Sequence, residues 1–249
     1  KKYNYANYII TWLQVVFYGV SITVITFIIN PGFVTWKDLY MMFLPVTYDL
    51  YWYFSAYTGL FFLIPLLNAS IRQCDNTYLK KLFLVIVILF SLYAFLLQRF
   101  SLGNGYSFVW LVLLYLLGAI IKKCKIGADT SLGKAFFLIC ACCFISWYWQ
   151  VFGKEFKLLS INVTNQVFQS YVAPTHVIAA ACHIIFFSKL KICDWAKKVI
   201  RIAAPGAFAV YLINVQFIVW EYFMNDAFVS LASRPVYIIF LGTVGFSIA

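Results

Sequence analysis

Long apolar runs separated by short polar stretches organise this chain from end to end. No stretch alternates polar and apolar residues with the two-residue period of a half-buried or barrel strand. A helix that crosses a membrane needs about 20 mostly apolar residues. The runs predict eight such spans: Tyr8–Ile29, Tyr51–Leu67, Leu82–Gln98, Ser107–Ile121, Lys134–Val151, Tyr171–Ser188, Ala207–Phe223 and Val236–Ala249. The expected fold is all-α, a polytopic transmembrane helical bundle. Lipid offers no partner for backbone N–H and C=O groups, which favours helices for the same reason. The fourth span is short, and Tyr106 and Lys122 at its borders suit interfacial positions. The chain begins at Lys1, and its last apolar run reaches Ala249. It therefore reads as one transmembrane domain, 1–249, cut at both ends from a longer protein.

Composition narrows the class further. The 249 residues are 64% hydrophobic and only 11% charged. A soluble domain averages about 25% charged residues and cannot cover so much apolar surface. The net charge of +11 does not point to nucleic acid, because the basic residues border the spans. Fourteen of the 19 fall on the side of the N-terminus: Lys1, Lys2, Arg72, Lys80, Lys81, Lys122, Lys123, Lys125, Lys134, Lys189, Lys191, Lys197, Lys198 and Arg201. Lys37, Arg99, Lys154, Lys157 and Arg234 fall on the other. Positive charge marks the cytoplasmic side, so both chain ends are expected there. Cys74, Cys124 and Cys193 lie in the same cytoplasmic loops, and Cys140, Cys142, Cys143 and Cys182 lie in spans. Reduced thiols that pack as small residues are expected, and no metal site.

Few residues can carry chemistry. His176 and His183 share one face of the sixth span but lie roughly 10 Å apart along it, too far to hold one metal ion. Each reads as a functional candidate or as a neutral imidazole bonded to a neighbouring helix. Asp49, Glu221 and Asp226 stand near the outer ends of spans, with no acid at mid-membrane. That argues against an ion-coupled transporter. Tyr211, Asn214 and Glu221 form a polar stripe on the seventh span, which either lines a substrate cavity or joins helices. The outer ends of spans gather aromatic and hydrogen-bonding groups: Tyr48, Asp49, Tyr51, Trp52 and Tyr53 before the second, and Arg99, Asn104, Tyr106, Ser107 and Trp110 around the third and fourth. Such rings suit an interfacial belt. With polar partners beside them they also suit stacking against sugars. The longest loop, Phe152–Ser170, carries Asn162, Asn165, Gln166 and Gln169 and serves either function or connection. The cytoplasmic segment Lys189–Arg201, with five basic residues and Asp194, suits anionic lipid or, less specifically, a phosphorylated molecule.

Four segments in order resemble the acyltransferase-3 membrane family. The first runs Leu44-Pro-Val-Thr-Tyr-Asp-Leu-Tyr-Trp-Tyr-Phe-Ser-Ala-Tyr, with Leu63-Ile-Pro-Leu-Leu-Asn68 after it. The second is Gly105-Tyr-Ser-Phe-Val-Trp110 with Leu114-Tyr-Leu-Leu-Gly118. The third is Ser170-Tyr-Val-Ala-Pro174 with Phe186-Phe187, and the fourth Phe208-Ala-Val-Tyr-Leu-Ile-Asn214. The branch it resembles is linked to O-acetylation of bacterial surface polysaccharides.

The resemblance implies a bacterial inner-membrane enzyme of about ten spans. It would take an acetyl group from cytoplasmic acetyl-CoA and deliver it to a hydroxyl of a glycan at the outer face. Its partners would be membrane lipid, acyl-CoA and the glycan acceptor. The family's catalytic His lies in earlier spans, so no residue of this chain is assigned that role, and the piece by itself is expected to be inactive. Where the family carries a further His after Tyr-Leu-Ile, this chain has Asn214, which cannot titrate near neutral pH. Candidate acceptor-binding residues are Asp49, Trp52, Arg99, Tyr106, Ser107, Trp110, Tyr211, Asn214 and Glu221. The alternatives are a polytopic transporter or flippase for a glycan or lipid, and a non-catalytic membrane subunit.

Overall fold

The computed structural model describes residues 5–97, 100–154, 156–158, 161–164, 167–204 and 206–224. In chain order the elements begin with α1 (Tyr5–Ile29), α2 (Trp36–Met41), α3 (Trp52–Gln73), α4 (Asn76–Ile86) and α5 (Ala94–Leu97). Then come α6 (Phe108–Cys124), α7 (Leu132–Phe152), β1 (Phe156–Leu158), β2 (Ile161–Val163), α8 (Pro174–Lys189), α9 (Asp194–Ala203), α10 (Gly206–Asn214) and α11 (Phe217–Val219). A π-helical segment, Val87–Tyr93, joins α4 to α5, and another, Trp220–Met224, follows α11. Among the described residues the regular structure is helical apart from one small antiparallel hairpin, which pairs Phe156 with Val163 and Leu158 with Ile161.

Among the described residues, five stretches are long and apolar enough to cross a membrane: Tyr5–Ile29, Trp52–Gln73, Asn76–Leu96, Leu132–Phe152 and Val167–Lys189. A sixth is present if Gly206–Asn214 and Phe217–Met224 form one span bent by 55°. The chain is a multi-pass membrane protein. The expected fourth span is α6, whose 17 residues reach about 25 Å at 1.5 Å each. That falls short of the ~30 Å hydrocarbon core. The expected eighth span, Val236–Ala249, lies outside the described residues, as do Arg99 and Asp226.

Two expected spans are corrected in detail. The third begins earlier, at Asn76, because the Asp75 carboxylate accepts from the N–H groups of Thr77 (2.9 Å) and Tyr78 (3.0 Å) and starts the helix there. The seventh is not continuous. Gln216 is 1% exposed, and its Oε1 accepts from Val219 N–H at 3.1 Å, which caps a new helix start inside the apolar run.

The described residues fall into two compact units, one formed by 56–191 and the other by 5–55 with 192–224. In the first, Ile86, Ala94, Leu102, Trp110, Leu117 and Val172 belong to one buried cluster, and Ile71, Leu79 and Ile120 form a second. Lys123 Nζ donates to the carbonyls of Ile71 (2.6 Å), Arg72 (3.1 Å) and Cys74 (2.6 Å). A single cation from α6 thus satisfies carbonyls that the C-terminus of α3 leaves open. Lys189 Nζ does the same for Ala128 and Thr130, both at 2.5 Å. α7 packs along α8, where Ala135, Cys142 and Cys182 are buried and Ser146 Oγ donates to Thr175 Oγ1 at 3.0 Å. All seven cysteines are free.

In the second unit, α1 buries a narrow stripe of Val15, Gly19, Thr23 and Thr26. Small residues at this spacing allow close approach without a strong apolar driving force. A Cβ at Gly19 would stand 3.0 Å from Met42 Sδ. Thr23 Oγ1 donates to its own helix at Gly19 O (2.8 Å), so its burial leaves no donor open. Thr35 and Asp38 close a capping box on α2. Phe33 stacks on Tyr222 with ring centroids 4.0 Å apart.

Candidate functional site

The turn ahead of α6 forms the floor of the candidate site. Gly103, Asn104 and Gly105 take φ values of +56°, +56° and +99° in succession. Glycine adopts this region without steric penalty, and asparagine tolerates it better than most residues. The turn aims the carbonyl of Asn104 at Tyr171 N–H, 2.9 Å away. A Cβ at Gly105 would lie 2.4 Å from Tyr171 Cβ and 3.3 Å from Trp110 Cδ1. Only a residue without a side chain lets the segment before α8 close on this turn.

Two more contacts hold the same stretch. Tyr106 meets Tyr171 edge to face, with centroids 5.1 Å apart. Hydrogen bonding between the two phenols holds the Tyr106 hydroxyl above its usual pKa. Ser91, in the π-helical segment, donates to Val172 O at 2.6 Å from within the core. Such π segments widen a helix by one residue and recur at functional positions.

These contacts border a cavity of 550 Å³. Ser101, Asn104, Tyr106, Thr164, Gln169 and Ser170 supply its polar lining, with Phe95 and Leu102 among the apolar residues. The volume falls within the roughly 300–1,000 Å³ of small-molecule sites. Among its described lining residues none is charged. Hydroxyl, amide and phenol groups beside aromatic rings suit a neutral ligand with many hydroxyls better than an ion. Three buried polar atoms belong to the segments around it: Ser170 Oγ, Trp110 Nε1 and His176 Nδ1 have no hydrogen-bond partner among the described residues.

The candidates named from sequence divide between the units. In the first unit, Tyr106 is exposed and lines the cavity. Ser107 caps α6 by accepting from Trp110 N–H at 3.2 Å. Trp110 is corrected from a stacking platform to a core residue, since it is 1% exposed within the apolar cluster. Arg99 lies outside the described residues.

In the second unit, Asp49 is exposed at φ +49° ahead of α3. Trp52 meets Tyr53 edge to face, and Tyr53 in turn meets Tyr211 at 5.8 Å. The stripe Tyr211, Asn214 and Glu221 is not one helix face, because the break at Val215 and Gln216 separates Glu221 from the other two. Glu221 is exposed and Asn214 half-buried.

The histidines also separate. His183 Nδ1 bonds Ala179 O of its own helix at 2.8 Å, rather than a neighbouring helix. His176 lies beside Tyr171, with ring centroids 6.3 Å apart. Among the described residues, no group of three His, Cys, Asp or Glu side chains is placed to hold a metal ion.

Ser101 and Thr164 in the cavity lining, and the buried Ser91 and Gln216, are not among the candidates the sequence offers. Polar residues inside apolar runs were the available signal at Ser91 and Gln216. Nothing local marks Ser101 or Thr164, which join the site through long-range packing. The chain matches no protein-family model, no curated protein and no solved structure.

Proposed function

We propose that this chain is the membrane body of an O-acyltransferase that moves an acetyl group from cytoplasmic acetyl-CoA to a hydroxyl of a surface glycan. In that reaction the thioester C–S bond breaks and an ester C–O bond forms. The hydroxyl proton passes to a base, and the CoA sulfur leaves as thiolate and is reprotonated. Donors must also hold the oxyanion that develops on the acetyl carbonyl oxygen.

One observation carries the reading. The segments that resemble the acyltransferase-3 family meet one another within each unit. Gly105 and Tyr106 close on Tyr171 beside the cavity, whose described lining is polar and uncharged and includes Ser170. Tyr115 donates to Asn68 Oδ1 at 3.0 Å, joining the ends of the first two segments. Tyr53 meets Tyr211, joining the first segment to the fourth. We assign the acceptor glycan to the 550 Å³ cavity, with Tyr106, Asn104, Gln169 and Ser170 as its hydrogen-bonding groups.

The same reading gives eight spans in an inner membrane of bacteria, with α6 and the bent α10–α11 pair each crossing. The cavity then opens on the outer side and the basic loops face the cytoplasm. Deleting the gene and measuring ester content of the surface glycan tests the function. The expected result is loss of acetyl esters. Unchanged ester content refutes the proposal.

A second reading, a transporter or flippase for a glycan or lipid, draws on the break between α10 and α11. Discontinuous membrane helices often flank substrate. Here Gln216 is buried with Nε2 lacking a partner among the described residues. Substrate movement in proteoliposomes without acyl-CoA would favour this reading over acyl transfer.

A further inference from the structure

Helix α9 reads Asp-Trp-Ala-Lys-Lys-Val-Ile-Arg-Ile-Ala from Asp194 to Ala203. At about 100° per residue, Asp194, Lys197, Lys198 and Arg201 share one arc of the helix. Trp195, Val199, Ile200 and Ile202 occupy the rest of the circumference, with Ile202 bordering Lys198 and Val199 farther round. That apolar side is open: Trp195 is 73% exposed, Ile202 81%, and Val199 and Ile200 nearly half. No residue of α9 is buried. An isolated helix shorter than ~12–15 residues is marginal in water, so the structure of α9 calls for a surface that covers its apolar face.

Charge and chain connectivity identify that surface. Asp194 pairs with Lys197 at 2.8 Å. Lys198 and Arg201 have no ion-pair partner among the described residues, so the polar arc carries a net positive charge. Lys189 and Lys191 precede it closely in sequence. Residues 190–193 are all that separate α9 from the apolar helix α8, and 204–205 all that separate it from α10. A connection of this length cannot carry a ten-residue helix far from a membrane crossed by its neighbours in sequence. Trp195 at the edge of the apolar arc matches the headgroup preference of tryptophan.

We propose that α9 lies in the plane of the membrane as an amphipathic surface helix, with Trp195, Val199 and Ile202 among the acyl chains and Lys198 and Arg201 on the phosphates of anionic phospholipid. The inference is independent of the acyltransferase reading. It assigns α9 to a lipid surface rather than to a second copy of the chain or another protein.

The test uses the full chain in nanodiscs of phosphatidylcholine, with or without phosphatidylglycerol. Native cysteines are replaced, and a spin label is placed singly through Ile202→Cys, Val199→Cys or Lys198→Cys. Collision with oxygen reports lipid, and collision with a water-soluble nickel complex reports solvent. Labels at 202 and 199 are expected to meet oxygen and be shielded from nickel, with the reverse at 198. Adding phosphatidylglycerol should raise the oxygen-to-nickel ratio at 202, and Lys198→Gln with Arg201→Gln should abolish the rise. Equal nickel contact at 199 and 198 overturns the proposal. Shielding of 202 from both reagents also overturns it, because it means that protein covers the face. A ratio at 202 indifferent to lipid charge removes the anionic-lipid assignment. Should the cysteine-free chain fail to fold, brominated-lipid quenching of the unsubstituted chain against Trp195→Phe decides the matter. Quenching that does not fall on losing Trp195 contradicts the proposal.

Discussion

Gly105 and Tyr171 touch through the absence of a side chain: a Cβ on Gly105 would stand 2.4 Å from the Cβ of Tyr171, at a backbone φ of +99°. The whole border of the candidate cavity depends on this approach. Gly105→Ala meets both a left-handed backbone and a clash with atoms near the Tyr171 backbone. We expect a loss of about 2–4 kcal/mol, read as a lowered thermal midpoint in detergent. Gly103→Ala, at φ +56° with open space around it, should cost only about 1–2 kcal/mol. Equal effects of the two substitutions would mean that contact with Tyr171 is unimportant.

Lys123 bonds three carbonyls at the end of α3. Hydrogen bonds to a charged donor are each worth about 1.5–3 kcal/mol, and orphaned carbonyls add to the loss. Lys123→Met should therefore destabilise the first unit by about 2–4 kcal/mol. Lys122→Met, one residue away and exposed, should change little. Urea titration of both variants compares them directly.

Asp75 sits below the ordinary carboxylate range because, first, the N–H of Tyr78 and then that of Thr77 bond its ionised form. A depressed folded pKa means that its stabilisation is complete above the unfolded value of about 3.9 and is lost as pH falls through the lower folded value. Asp75→Asn keeps a capping oxygen but cannot titrate. The variant should show a flatter decline in melting temperature below about pH 4 than the unsubstituted chain. Parallel declines would show that the cap carboxylate does not contribute.

Ser107 accepts from Trp110 N–H and starts α6. Ser107→Ala should lose about 1 kcal/mol and Ser107→Thr much less. If Ser107 instead bound acceptor, Ser107→Thr would reduce transfer while leaving stability intact.

How far the sequence made this legible depends on the range of the interactions. The apolar runs located α1, α7 and α8 to within a few residues and the start of α3, whose end runs on from Leu67 to Gln73, because burial in lipid is a property of the run itself. The break at Val215–Gln216 escaped that logic. Hydropathy averages over a run, whereas the break rests on one side chain, Gln216, capping Val219 N–H. Aromatic clustering singled out the turn ahead of α6, but composition cannot distinguish a ring in the rim from one in the core beneath it, where Trp110 lies. Tyr106 remained in the rim. Ser101 and Thr164 reach the cavity through packing between distant segments, which no local pattern encodes.

The most direct test of acetyl transfer to a glycan at the cavity uses membrane vesicles from cells that express the whole gene product. Acetyl-CoA labelled in its acetyl group is offered to the cytoplasmic face, and label is measured in glycan on the opposite face. Labelled glycan esters are expected, reduced at least tenfold by Tyr106→Ala with Gln169→Ala, a loss of about 1.4 kcal/mol or more in the transfer step. Glycan that stays unlabelled, or labelling that continues undiminished in both the double variant and the gene deletion, would contradict it.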